Sequence, residues 1–128
     1  MESPTATTTW ETHAKENAKH RALIHLECNN PEKMAAALNE IPVLESLEYL
    51  FKLAEKHRKQ KKFQKTKIIL EAAELIDRQT GDHTELTVEI DDRTNKKETT
   101  VMIERLTPAQ VFSRTLEDEE LDVKDQVA

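Results

Sequence analysis

Residues 43–79 read VLESLEYLFKLAEKHRKQKKFQKTKIILEAAELIDRQ, and the way this stretch folds decides the architecture. Val43, Leu44, Leu47, Leu50, Phe51 and Ala54 recur at steps of three and four, the spacing of one face of an α-helix. The chain then turns basic, after which Ile68, Ile69, Ala72, Ala73, Leu75 and Ile76 resume an apolar face. Leu50 and Ile68 are eighteen residues apart, about five turns at 3.6 residues each, so the two stripes are in phase. No Gly or Pro interrupts them. One continuous helix would be about 55 Å long at 1.5 Å per residue. A helical hairpin bent near Gln60 to Lys62 would instead pack the stripes together, as suits a small domain. In either arrangement Leu47, Leu50, Phe51, Ile69 and Ile76 are candidate oligomerisation residues.

Upstream, residues 1–9 contain Pro4 and a threonine run and are expected to form a flexible arm. Thr8-Thr9-Trp10-Glu11 has capping-box form, predicting a helix over residues 10–27. Trp10, Ala14, Ala18, Ala22, Leu23 and Leu26 form its packing stripe, the small side chains allowing close approach of a second helix. Asn29-Asn30-Pro31 ends this helix and opens a short one over residues 31–40, since asparagine caps well and proline suits the first turn. Residues 10–42 thus form an N-terminal helical portion, and Pro42 opens the central stretch.

Downstream, Gly81 marks the end of the central helix. The period then changes to two: Leu86, Val88 and Ile90 alternate, as do Val101 and Ile103, predicting a β-hairpin over residues 84–106. Pairing Val88 with Val101 sets Leu86 opposite Ile103 and Ile90 opposite Thr99. The turn then centres on Thr94-Asn95, with Asp92 facing Lys97. A lone two-stranded hairpin is marginal in water, so it must lie on the helices or join strands of other subunits. Val88, Val101 and Ile103 therefore join the oligomerisation candidates. Thr107-Pro108-Ala109-Gln110 is a second capping box, opening a short helix with Val111, Phe112 and Leu116. Residues 117–128 hold six acids and one lysine and read as a solvated acidic tail, completing residues 107–128. The predicted fold class is α+β, mostly α, in one domain.

Composition narrows the chemistry. The 128 residues are 37% apolar and 34% charged, with five aromatics (Trp10, Tyr49, Phe51, Phe63, Phe112), which implies a thin core under charged surfaces. A single glycine excludes the glycine-rich phosphate cradles of nucleotide-binding folds. A single cysteine, Cys28, excludes an intrachain disulfide and fits a reducing compartment. The longest apolar run, residues 34–38, is far below the ~20 residues of a spanning helix, and no apolar leader opens the sequence. A cytoplasmic protein without a membrane partner is the expectation.

The net charge of −6 is unevenly distributed. Lys52, Lys56, Arg58, Lys59, Lys61, Lys62, Lys65 and Lys67 stand against Glu55 alone, eight less one or +7, leaving −13 elsewhere. Clustered cations suit phosphate contact, and Phe63 within the run could stack on a base, so these eight are the candidate nucleic-acid-binding residues. The competing reading is a solvated helix face or helix–helix bend, kept soluble by lysine and paired with the acidic tail of a neighbouring subunit. A helix-turn-helix over residues 31–52 is disfavoured, because Glu45 and Glu48 would face phosphates or base edges. His13, His20, His25 and Cys28 do not assemble a metal site: His20 and His25 are about 140° apart on the helix, and only His25 and Cys28 share a face. Partly exposed histidines and a buried thiol are the expected alternative. Ser3, Ser46, Ser113 and Cys28 lack a base or oxyanion site, so no catalytic residue, metal or cofactor is assigned.

The order of elements, with central helices at residues 43–79, a hairpin at 84–106 and a tail at 107–128, resembles the small terminase subunits of tailed bacteriophages. The resemblance implies subunit hairpins forming a barrel around a ring, a tail engaging a motor subunit, and a role in viral DNA packaging in the host cytoplasm. The sequence departs from that pattern in lacking a convincing helix-turn-helix. The first functional expectation is therefore a non-enzymatic, homo-oligomeric, nucleic-acid-contacting protein. The second is a protein–protein adaptor using the basic segment and the acidic tail.

Overall fold

The structure, a computed structural model, describes residues 4–92 and 100–127, with side chains described for residues 11–90 and 101–124. Helices α1 (Pro4–Glu27), α2 (Pro31–Ala37), α3 (Val43–Lys59) and α4 (Phe63–Thr80) precede strands β1 (Leu86–Asp92) and β2 (Thr100–Leu106), and helix α5 (Pro108–Val127) comes after them. The fold is α+β and mostly α, as expected. Among the described residues no helix is long and apolar enough to cross a membrane.

Helix α1 begins at Pro4, so the segment expected as an arm is helical from that residue and Thr8 lies inside the helix, not at its cap. Proline fits the first turn, where its missing N–H has no partner to lose. Ala18, Ala22 and Leu26 are buried, while Leu23 is exposed, contrary to the predicted stripe. The Asn30 side chain accepts the Lys33 N–H at 3.1 Å with Pro31 in the first turn of α2, as its sequence implied. Helix α2 ends at Ala37, and residues 38–40 form a single 3-10 turn. The Ser46 hydroxyl, buried, donates toward Leu38 and Ile41 carbonyls at 3.3 and 3.4 Å and ties this connection to α3.

The central stretch is a helical hairpin bent at residues 60–62. Lys61 adopts φ 60°, and the N–H groups of Lys61 and Lys62 bond to the carbonyls of Arg58 and His57 at 2.9 Å each. This is the closure usually made by glycine past a helix C-terminus; a lysine performs it here at a cost of about 1–2 kcal/mol. The in-phase stripes fold onto one another: Leu47, Leu50, Phe51 and Ala54 of α3 share one core with Ile69, Ala72, Ala73 and Ile76 of α4. Val88 joins the same core. Leu47, Leu50, Phe51, Ile69, Ile76 and Val88, expected at an oligomer interface, are instead buried in this chain's own core. Gly81, at φ 72°, ends α4 in the left-handed conformation that only glycine adopts without strain.

The strands form an antiparallel hairpin, but the register differs from the expected one by three residues: Val88 stands opposite Glu104, Leu86 opposite Leu106 and Ile90 opposite Met102. An odd shift exchanges the faces of a strand. Val88 and Ile90 are buried, whereas Val101 and Ile103 lie on the opposite face, 51% and 70% exposed. The reason lies in the connection from β2 to α5. Half-buried Leu106 turns inward before the cap of α5, and alternation then puts Glu104 and Met102 on its side and Ile103 on the other. Glu104 is paired there by Arg114 of α5 at 3.0 Å. Asp92 stands opposite Thr100 and not Lys97, which corrects the expected cross-strand pair, and the expected turn at Thr94-Asn95 lies outside the described residues.

The second capping box forms as its sequence predicts: the Thr107 N–H donates to Gln110 Oε1 at 2.9 Å, and the Gln110 N–H to Thr107 Oγ1 at 3.3 Å. The acidic stretch is not a solvated tail. It is the second half of α5, which packs on α4.

Candidate functional site

The eight cations of residues 52–67 have four separate fates. Arg58, 7% exposed at its side chain, has Nε 3.8 Å from Asp118 Oδ2, and its guanidinium also donates to the Glu89 carbonyl. Lys61 Nζ lies 3.0 Å from Asp122 Oδ1, and Lys67 Nζ 2.8 Å from Glu119 Oε2. Asp118, Glu119 and Asp122 occur at helical spacing on α5, so one acidic edge of that helix meets three cations from α3, the bend and α4. Lys59 pairs with Glu89 of β1 at 3.2 Å. Lys65 reaches the end of α1, donating to the Leu26 and Glu27 carbonyls and to Asn29 Oδ1 at 2.9–3.2 Å, where its charge opposes the negative end of the helix dipole. Lys52, Lys56 and Lys62 remain exposed, with no ion pair to another described residue. Phe63, expected to be available for stacking, is buried at the start of α4.

Helix α3 also closes one edge of the sheet. The Glu89 N–H donates to Glu55 Oε1 at 2.8 Å while its carbonyl accepts from Arg58, so both main-chain groups at the centre of β1 are satisfied from outside the hairpin. Beside this seam lies a groove of about 660 Å³. Leu44, Glu48, Phe51, Lys52 and Glu55 form its helical wall; Thr87, Glu89, Ile103 and Arg105 form its floor. Leu44 and Ile103 are 54% and 70% exposed, which places large apolar side chains on both sides of the opening.

On the far side of α3, Tyr49 is half-buried beneath Lys19, whose Nζ lies 5.0 Å from the ring centroid. Burial, and secondarily the charge of Glu16, push the Tyr49 phenol above its ordinary pKa. Among the described residues no group of three His, Cys, Asp or Glu side chains could hold a metal ion. Cys28 is exposed, contrary to the buried thiol expected.

Comparison with known proteins adds nothing to this geometry: no family model, curated protein or solved structure matches the chain. The exposure of Ile103 was missed in the sequence because it depends on strand register. The acidic stretch was considered as a partner of the basic segment only from a neighbouring subunit, whereas Arg58, Lys61 and Lys67 meet it within the chain.

Proposed function

We propose that the chain is a non-enzymatic protein-interaction module whose contact surface is the outer face of the hairpin and the groove beside α3. The observation that carries this reading is the apolar exposure there: Ile103 at 70%, Val101 at 51% and, across the groove, Leu44 at 54%. Apolar side chains grouped around a concavity and rimmed by charge are the usual form of a contact site. The state of the cations supports the same reading. A duplex approaching residues 52–67 meets Asp118, Glu119 and Asp122 beside Arg58, Lys61 and Lys67, and those carboxylates repel phosphate.

A second reading, nucleic-acid contact by a homo-oligomer of the viral DNA-packaging kind, keeps one supporting observation: Lys52, Lys56 and Lys62 are exposed and free of described ion pairs. Salt dependence separates the two. Three phosphate contacts give a slope of log affinity on log salt of about −2.7, and all eight cations about −7.

The test is site-specific crosslinking in the cells that express the protein, with a photoreactive phenylalanine analogue replacing Ile103 and, as control, exposed Glu71 of α4. Protein adducts at position 103 and not at 71, with no retention of the chain on duplex DNA at physiological salt, are expected. Equal adducts at both positions, or DNA retention lost in the Lys52→Glu, Lys56→Glu, Lys62→Glu variant, would overturn the reading.

A further inference from the structure

Resting on the interaction-module reading, we infer that the partner of the hairpin is a second copy of this chain, joined along the free edge of β2 about a two-fold axis through Ile103. The main-chain directions argue this first. In an antiparallel ladder, directly opposed residues either exchange both hydrogen bonds or turn both groups away from each other. Glu89 bonds outward to Glu55 and Arg58, so Glu89 and its opposite residue Ile103 are of the second kind. Alternation gives Val101 and Arg105 the same orientation. The outer edge of β2 therefore presents the N–H and C=O groups of Val101, Ile103 and Arg105, and among the described residues no other element bonds to those of Ile103 and Arg105.

Self-pairing fits this row. An axis through Ile103 sets Ile103 against its own copy and Val101 against Arg105 in both directions, every pair exchanging main-chain bonds. Apolar meets apolar at the centre, and on the other face Glu104 meets Met102, so no charge faces a like charge. An axis through Glu104 would oppose two carboxylates directly. An axis through Met102 would engage Val101 and Ile103 and leave Arg105 without a described counterpart.

The closed edge of β1 sets the stoichiometry. With Glu55 and Arg58 occupying the Glu89 main chain, a third copy has no second edge to extend, so the assembly stops at two and does not propagate as a filament. Two copies give a four-stranded sheet with helices behind it, which removes the marginality of an isolated pair.

The experiment is sedimentation of the full chain across a concentration series, with two variants. Wild type is expected to reach twice its 14.8 kDa mass and no more. Ile103→Pro removes only an N–H that points away from β1, so helix content and intrachain pairing should persist while the dimer dissociation constant rises on the order of 100-fold. Ile103→Lys places a charge against its own copy and should act in the same direction while keeping the N–H. A dimer that survives both variants overturns the proposal, as does growth beyond two copies. A wild-type monomer at every concentration overturns it too. If position 103 still crosslinks to a different protein, the interaction-module reading stands without self-pairing; if it crosslinks to nothing, both fail.

Discussion

Helix α4 is held on two sides by different physics. Toward α3 it buries Ile69, Ala72, Ala73 and Ile76 in a continuous apolar core. Helix α5 opposite it buries Val111 in its first half, but along its second half Asp118, Glu119 and Asp122 face Arg58 of α3, Lys61 of the bend and Lys67 of α4. Leu121 and Val123 of that half are instead exposed, as is Leu116 just before it. The first interface draws on water release, is nearly indifferent to salt, and fails by leaving a cavity. The second draws on charge pairs whose value depends on their dehydration. One helix can thus be fixed at one end and electrostatically latched at the other.

The largest effect expected is on the apolar side. Leu50 is fully buried, so Leu50→Ala should destabilise the chain by about 3–5 kcal/mol, the sum of lost transfer energy and cavity. Chemical denaturation measures this, and a loss below about 1 kcal/mol would show that the α3–α4 seam can collapse around the gap. Next is Arg58, which joins the two regions by bonding the Glu89 carbonyl and facing Asp118 from a buried position. Arg58→Leu retains apolar bulk but leaves a part-buried carboxylate and a carbonyl without that donor, at a cost of about 2–3 kcal/mol. If Arg58→Leu were neutral, the latch would contribute only geometry.

The contrast between these regions also explains what the sequence disclosed. The α3 and α4 stripes, the Asn30 cap and the Thr107–Gln110 box were legible because each is a local pattern with one physical meaning. The bend was legible only as an option, since its left-handed residue is Lys61 and no glycine marks it. The acidic half of α5 was misread because charge periodicity is ambiguous until the opposing cations are placed in space. Strand faces followed correctly from alternation within β1, but the relation of β1 to β2 rests on Leu106 turning inward, a tertiary fact. The candidate site reflects both: five of its eight cations (Arg58, Lys59, Lys61, Lys65 and Lys67) are partnered within the chain, and Ile103, expected opposite Leu86, stands opposite Glu89 on the exposed face.

A smaller effect sharpens the comparison without disrupting the fold. Lys61 is 61% exposed at its side chain, so solvent screens its pair with Asp122, and Asp122→Asn should cost only about 0.5–1 kcal/mol. The informative readout is local. Raising sodium chloride toward 1 M shortens the screening length to about 3 Å. Amide exchange should then accelerate in residues 118–124 of α5 while α3 and the core face of α4 stay protected. Uniform acceleration across α4 and α5 would mean that the two interfaces open as one unit and the latch has no independence.

The smallest effect belongs to the contact of α1 with α3, where apolar and charged contributions mix. Lys15 pairs with Glu45 at 3.1 Å, and one turn along each helix Lys19 lies over the Tyr49 ring. The Tyr49 phenol is raised above 10.0, by burial first and by Glu16 second. A group whose folded pKa exceeds its unfolded value contributes stability that is complete below the unfolded pKa and is lost as pH rises through the folded one. The Tyr49 contribution to stability should therefore fall away only above about pH 10, and Tyr49→Phe should remove that part of the alkaline slope. Because Tyr49 is the only tyrosine, phenolate absorbance reports it without overlap. Glu16→Gln should lower the phenol pKa part of the way and no further, since burial is the larger cause; a return to the ordinary value would make charge the stronger influence at this contact and align it with the α5 latch instead of the core.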